Sequence, residues 1–312
     1  MMRLLVVGAG STGGYFGARL AQAGRDVTFL VRGERAADLR TNGLRVVSPH
    51  GDLSISPKLV TAGDIAAPYA AILLTVKAFS LEAALKDIAP AVGPETVILP
   101  VLNGMKHVDI LRERFGRTSV AGCVCIISSY LDQKGRIVQL TGHQSLAYGE
   151  FDGMPSARLQ NIDAFMQGAG FDARLSPTID REMWEKWILL ASLGGITCLM
   201  RGSIGEIEAV EGGRQFARRF LGEVVSVVRL VGTPPGASFM EMADSLLTAP
   251  GSTLTSSMYR DLQKGGPIEA DQIIGDLLAR ARPKNIETPL LAAAYASLSI
   301  YQRRAPSNLQ AP

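Results

Sequence analysis

The chain has 312 residues, enough for two domains of ordinary size, because a single hydrophobic core stops growing near roughly 250 to 300 residues. Hydrophobic residues make up 47% and charged residues 20%, which excludes a disordered chain. A net charge of +3 with no Lys/Arg stripe excludes a nucleic-acid partner and suits a local anion better. Cys123, Cys125 and Cys198 read as reduced core residues, and with the scattered His50, His107 and His143 they offer no ligand spacing, so no metal is expected.

The N-terminal Met-Met-Arg-Leu-Leu-Val-Val-Gly predicts a short strand over 3–8, too brief for a signal-peptide apolar region. Residues 11–23 carry helix spacing, with Gly24 as the C-terminal cap. Val27 to Val31, Ala71 to Val76 and Thr96 to Val101 predict further buried strands separated by helix-like segments. That alternation predicts an α/β fold, a Rossmann-type doubly wound parallel sheet. After Ser119 to Ile127 the pattern loosens into shorter segments around Gly135, Gly142 and Gly149, and a polar stretch runs from Ser176 to Asp180.

From Arg181 the chain predicts helix, broken at Gly212-Gly213, Thr233-Pro234-Pro235-Gly236, Gly265-Gly266-Pro267 and Pro283. The expected organisation is a dinucleotide-binding domain over 1–176 and an all-α domain over 177–312. The longest apolar stretch, Trp187 to Met200, is interrupted by Ser, Gly and Thr and is too short for a membrane span, so a cytoplasmic protein is expected. Arg304 to Pro312 read as a loose tail.

Gly8-Ala9-Gly10-Ser11-Thr12-Gly13 falls between the first strand and first helix, where the fingerprint G-x-G-x-x-G binds a dinucleotide. Gly8 serves the tight turn, Gly10 the close approach of the pyrophosphate, and Gly13 the packing of helix on strand, while the helix N-terminus faces the anion. An NAD site usually ends its second strand in an acidic residue. Here Arg32 stands there, and a guanidinium suits a 2′-phosphate, so NADPH is the expected cofactor. The plainer alternatives are a solvated Arg32, and an Arg35 that either shares the role or is a surface charge.

With Arg32, Leu74-Thr75-Val76-Lys77-Ala78, Leu102-Asn103-Gly104-Met105, Trp184-Glu185-Lys186, Ser256-Ser257-Met258-Tyr259-Arg260-Asp261 and Glu269, the chain resembles the ketopantoate reductase family nearly end to end. The resemblance implies a helical C-terminal domain of the 6-phosphogluconate dehydrogenase type and a cleft between the domains. It also implies NADPH-dependent reduction of a 2-oxo acid, 2-dehydropantoate in pantothenate biosynthesis. It places Lys77 and Ser128 near the cofactor, Asn103 at nicotinamide and substrate, and the proton donor at Lys186. Ser257 would bind the substrate carboxylate, and Glu269, also at the cofactor, would hold the substrate or orient the catalytic lysine, Lys186.

Each of these residues has a plainer reading. Lys77 is also a solvated lysine at a strand end, Asn103 part of an Asn-Gly turn, and Lys186 a surface ion-pair partner of Glu182 four residues earlier. Ser257 is also a helix cap and Glu269 a first-turn carboxylate, with Pro267 near the first helical position. The family lines its pocket with asparagines, and four matching positions here are Leu190, Gly194, Ile204 and Leu254. The expected substrate is therefore 2-dehydropantoate or a less polar 2-oxo acid. A hydroxyacid dehydrogenase running toward oxidation and a non-catalytic NADPH-binding sensor stay open, as does a homodimer.

Overall fold

The computed structural model describes residues 2–304, in two compact units. One comprises the chain through Leu102 together with His107–Asp180; the other comprises Asn103–Lys106 and the chain from Arg181 onward.

The first unit is built on five strands: β1 (Arg3–Val7), β2 (Asp26–Leu30), β5 (Lys58–Val60), β6 (Ala71–Leu74) and β7 (Val97–Pro100). They form one sheet in the order β5-β2-β1-β6-β7, every neighbouring pair parallel. Successive side chains on a strand point to opposite faces, and the burial divides accordingly. Leu4, Val6, Leu73 and Leu99 join a core with Phe16 and Leu20 of α1 (Ser11–Gln22). Leu5, Val7, Ile72, Leu74 and Ile98 join a second core with Leu81, Leu85 and Ile88 of α3 (Leu81–Ile88). Burial on both faces explains why these strands read as unbroken apolar runs. α1 ends as expected, with Gly24 at φ +76° donating to Ala21 and Arg25 donating to Leu20.

A second sheet was not legible as such. β3 (Leu44–Val47), β4 (Leu53–Ile55), β8 (Gly122–Leu131), β9 (Ile137–Gly149) and β10 (Asp172–Leu175) run β10-β9-β3-β4, with β8 on β9. The short segments expected around Gly135, Gly142 and Gly149 are in fact a hairpin turn at Gly135 followed by one 13-residue strand, β9, antiparallel to β8. The glycines misled because each answers a local demand. Gly135, at φ +69°, makes the hairpin turn, and Gly149 passes the Ser176 carbonyl so closely that a Cβ would lie 2.2 Å from its oxygen. Likewise the stretch between β2 and β6 holds α2 (Gly33–Asn42) and three strands rather than helix alone. α4 (Lys106–Phe115) and α5 (Ala157–Met166) are the remaining α-helices before residue 179.

The second unit is helical: α6 (Ile179–Met200), which starts two residues before the unit, then α7 (Ile204–Glu208), α8 (Gly213–Val231), α9 (Ala237–Leu247), α10 (Ser257–Gln263), a π-helical segment Asp271–Gly275 running into α11 (Asp276–Ala281), and α12 (Pro289–Arg304). α8 buries the stripe Ala217, Phe220, Leu221, Val224 and Val228, at helical spacing. Two glutamates cap neighbouring helices. Glu185 accepts the Gly236 N–H at 2.8 Å ahead of α9, and Glu223 accepts the N–H groups of Leu290 and Leu291 in α12. α12 continues through Arg304, so the first residue of the expected tail is helical; residues 305–312 lie outside the described residues. Among the described residues, no helix is long and apolar enough to cross a membrane.

Candidate functional site

The glycine turn joins β1 to α1. Gly8 adopts φ +94°, which a side chain disfavours. At Gly13 a Cβ would lie 2.0 Å from Thr75 Oγ1 and 2.3 Å from the Gly8 carbonyl oxygen, so nothing larger than hydrogen fits. Thr75 is part of this lock, its hydroxyl reaching the Val7 carbonyl at 2.8 Å and the Gly8 carbonyl at 3.1 Å. Gly10 differs: no atom lies within 4 Å of where its Cβ would be. The space at Gly10 and the N-terminus of α1, which has no side-chain cap, fit the pyrophosphate of a dinucleotide.

Two further residues hold the turn. Arg35 donates from Nε to the Ala9 carbonyl at 3.0 Å and from Nη1 to Asp38 and the Gly135 carbonyl, so it is neither a surface charge nor turned outward. Burial lowers its pKa below the usual guanidinium value, against the opposing pull of Asp38. Ser129 donates from Oγ to the Ser11 carbonyl at 3.2 Å, while Ser128 stands at the irregularity where the β8–β9 register shifts. The hydroxyl bonded to the turn is thus one residue beyond the one the sequence singled out.

Arg32 caps the start of α2 with its backbone and is not simply solvated. Its Nε donates to Asp87 Oδ2 at 2.7 Å, and its Nη2 pairs with the same oxygen. Nothing in the sequence signals Asp87, which lies 55 residues away on α3. Lys77 is exposed beyond the C-terminal end of β6 and leads a 3-10 turn over Ala78–Ser80. That is the sheet edge where ligands bind in doubly wound folds.

The substrate-side candidates all fall in the second unit, because Asn103–Lys106 groups with it. Asn103 Nδ2 donates to Glu269 Oε2 at 3.3 Å, which brings together two residues 166 positions apart. Gly104 follows at φ +79°, and a Cβ there would lie 2.6 Å from the Gln272 carbonyl oxygen. Trp187 Nε1 donates to the Ile273 carbonyl at 2.9 Å, fixing the π-helical segment to α6. Glu269 is buried, and it sits just before the helix rather than in its first turn, its carbonyl accepting the Ile273 N–H at 3.0 Å. The chain from Gly266 through Glu269 has no regular secondary structure, so Pro267 precedes the helix instead of opening it.

On α6 the Trp-Glu-Lys motif is anchored by its first two members. Trp184 packs where a Gly232 Cβ would be, within 2.4 Å, and Glu185 caps α9. Lys186 is half-buried and engages no ion pair or hydrogen bond among the described residues, so the Glu182 pair does not form. Leu190 and Gly194 follow at four-residue steps on the same helix face. At Gly194 a Cβ would lie 2.8 Å from Met258 Cε, so this face runs to the start of α10. There the cap is Ser256, whose Oγ accepts the Tyr259 N–H at 2.9 Å and bonds the Thr197 hydroxyl, while Ser257 is exposed in the first turn. Ile204 donates to the Leu254 carbonyl at 3.0 Å, so two of the four positions lacking asparagine adjoin. Lys186 has no direct bond to Asn103, Glu269 or Ser257 among the described residues.

Family models described as Ketopantoate reductase PanE/ApbA and its C-terminal counterpart match residues 4–153 and 178–302. A Bacillus subtilis (strain 168) protein named uncharacterized oxidoreductase YkpB is 35% identical, over 96% of this chain and 99% of its own. The crystal structure of 2-dehydropantoate 2-reductase from Geobacter metallireducens superposes with a TM-score of 0.85 at 27% identity, over 96% of this chain and 99% of that one. D-mandelate dehydrogenase in ternary complex with NADH and anilino(oxo)acetate has the same TM-score at 19% identity, over 97% and 99%, a likeness of fold alone.

Proposed function

The chain belongs to the ketopantoate reductase family of oxidoreductases, and from that premise we propose that it reduces a small 2-oxo acid to the 2-hydroxy acid with NADPH. The observation that carries the reading is Lys186, a half-buried ammonium with no ion-pair partner among the described residues, on the helix face that leads to Ser257. A lysine held by a carboxylate would have its N–H donors engaged; those of this one are open to a substrate oxygen.

NADPH bound at the glycine turn supplies the hydride. Lys186 Nζ stabilises the negative charge that develops on the substrate oxygen and protonates it, the task of a positioned general acid. The Ser257 hydroxyl donates to the substrate carboxylate. Glu269 holds the Asn103 amide by one N–H, which leaves Asn103 Oδ1 and its other N–H for nicotinamide and substrate. Thr75, Arg35 and Ser129 keep the turn in the shape the pyrophosphate requires, Arg32 faces the 2′-phosphate, and Lys77 and Ser128 border the cofactor.

Leu190, Gly194, Ile204 and Leu254 present no side-chain donor or acceptor to a hydroxylated substrate tail. A 2-oxo acid with an apolar side chain is the substrate favoured by that composition. The test is a steady-state panel of 2-oxo acids of graded polarity with NADPH and with NADH. Turnover of at least one, with the NADPH rate ahead, supports the proposal. Tight NADPH binding with no turnover across the panel replaces it with a non-catalytic sensor.

A further inference from the structure

Arg32 turns one edge of its guanidinium onto a single carboxylate oxygen, with Nε and Nη2 both directed at Asp87 Oδ2. That edge is the fork with which an arginine grips a phosphate. Asp87 is in the last turn of α3, where the partial negative charge of the helix C-terminus already disfavours a carboxylate. Its side chain is only 19% exposed, against 45% for Arg32, so the aspartate depends on the pair more than the arginine does.

From this arrangement we infer that Asp87 is a positioning residue for cofactor choice: it competes with the 2′-phosphate for Arg32 and narrows the preference for NADPH over NADH. The inference rests on the reading that Arg32 faces that phosphate. A phosphate that takes the Nε/Nη2 edge displaces Asp87 and leaves a carboxylate beside a helix C-terminus without its cation. A phosphate that takes the Nη1 side instead keeps the pair but lies close to a like charge. Both routes weaken NADPH binding. NADH, with a neutral hydroxyl at the same carbon, meets neither penalty.

The test is direct titration of the full chain with NADPH and with NADH, for wild type, Asp87→Asn, Asp87→Ala and Arg32→Ala. Asp87→Asn keeps the shape and removes the charge, and Asp87→Ala removes the acceptor as well. Both are expected to tighten NADPH roughly two- to fivefold, the scale of a partly exposed ion pair, and to leave NADH unchanged. A change in folding alone would move both cofactors together. If the Asp87 variants bind NADPH no better, or more weakly, while Arg32→Ala loses NADPH selectively, Asp87 does not compete and the inference is overturned with the Arg32 reading intact. If Arg32→Ala loses both cofactors equally or neither, the Arg32 reading itself is wrong and the inference falls with it.

Discussion

Around the glycine turn nearly every position is held by main chain or by a half-buried polar side chain: Gly13 against Thr75 and the Gly8 carbonyl, Ala9 by Arg35, Ser11 by Ser129. Among the candidates for the substrate side, Lys186 and Leu190 are half-buried and Ser257 is exposed, and the fixed elements lie around them in Trp184, Glu185, Ser256 and the segment after Glu269. The turn has one solution that the backbone enforces. The other set has fixed neighbours but no such lock on its own side chains. On a frame of this kind, binding groups can be exchanged without disturbing the scaffold.

The strongest attack on this contrast is Lys186→Ala. Turnover is expected to fall about a hundredfold or more, with NADPH affinity and thermal stability kept, if the side chain is the proposed proton donor and no ion-pair partner. Near-wild-type turnover at saturating substrate would make Lys186 an ordinary surface lysine. Next is Arg32→Ala, expected to weaken NADPH about ten- to a hundredfold through the loss of a charge-assisted contact worth about 1.5 to 3 kcal/mol, with NADH little changed.

The substrate frame is probed by comparing kcat/KM for 2-dehydropantoate with that for its analogue lacking the hydroxyl. Burying a hydroxyl without a partner costs on the order of 1 to 3 kcal/mol, so the analogue should be preferred. A clear preference for 2-dehydropantoate would mean that a polar group other than the four missing asparagines reads the hydroxyl.

The smallest effect sharpens the other half. Gly13→Ala drives a Cβ into the Gly8 carbonyl oxygen and Thr75, an overpacking cost at or above the top of the roughly 1 to 3 kcal/mol range that exceeds the ~1 kcal/mol regained as helix propensity, so the melting temperature should drop. Gly10→Ala, whose Cβ meets no protein atom within 4 Å, should leave the melting temperature alone and weaken only the cofactor. Equal melting shifts for the two variants would show that Gly10 is not reserved for a ligand.

What the sequence made legible follows the same division. β1, the turn and α1 are contiguous, and their signals are local: an apolar run, glycines at fixed offsets, a cap at Gly24. The second sheet was missed because β9 takes its partners from β3, some ninety residues earlier, as well as from β8 and β10, and no local pattern announces that pairing. The Arg32–Asp87 pair escaped for the same reason. Resemblance to a family singled out Lys186, Asn103, Ser257 and Glu269 as candidates, but it did not reveal that the cap belongs to Ser256, that the hydroxyl on the turn belongs to Ser129, or that Glu269 precedes its helix. Each of those is a one-residue matter decided by backbone geometry.

The π-helical segment at Asp271–Gly275 carries a consequence for descent. A single π turn is an α-helix with one residue inserted, and an α-helix rotates its side chains by about 100° per residue. Leu277 and Leu278 are buried and fix the helix on its C-terminal side. Removing one residue between them and Glu269 would swing the carboxylate by roughly that angle about the helix axis without altering its identity. Among relatives, a one-residue gap at this place would therefore mark an acid re-aimed rather than a loop shortened, and two chains that align perfectly at the glutamate could still point it at different atoms.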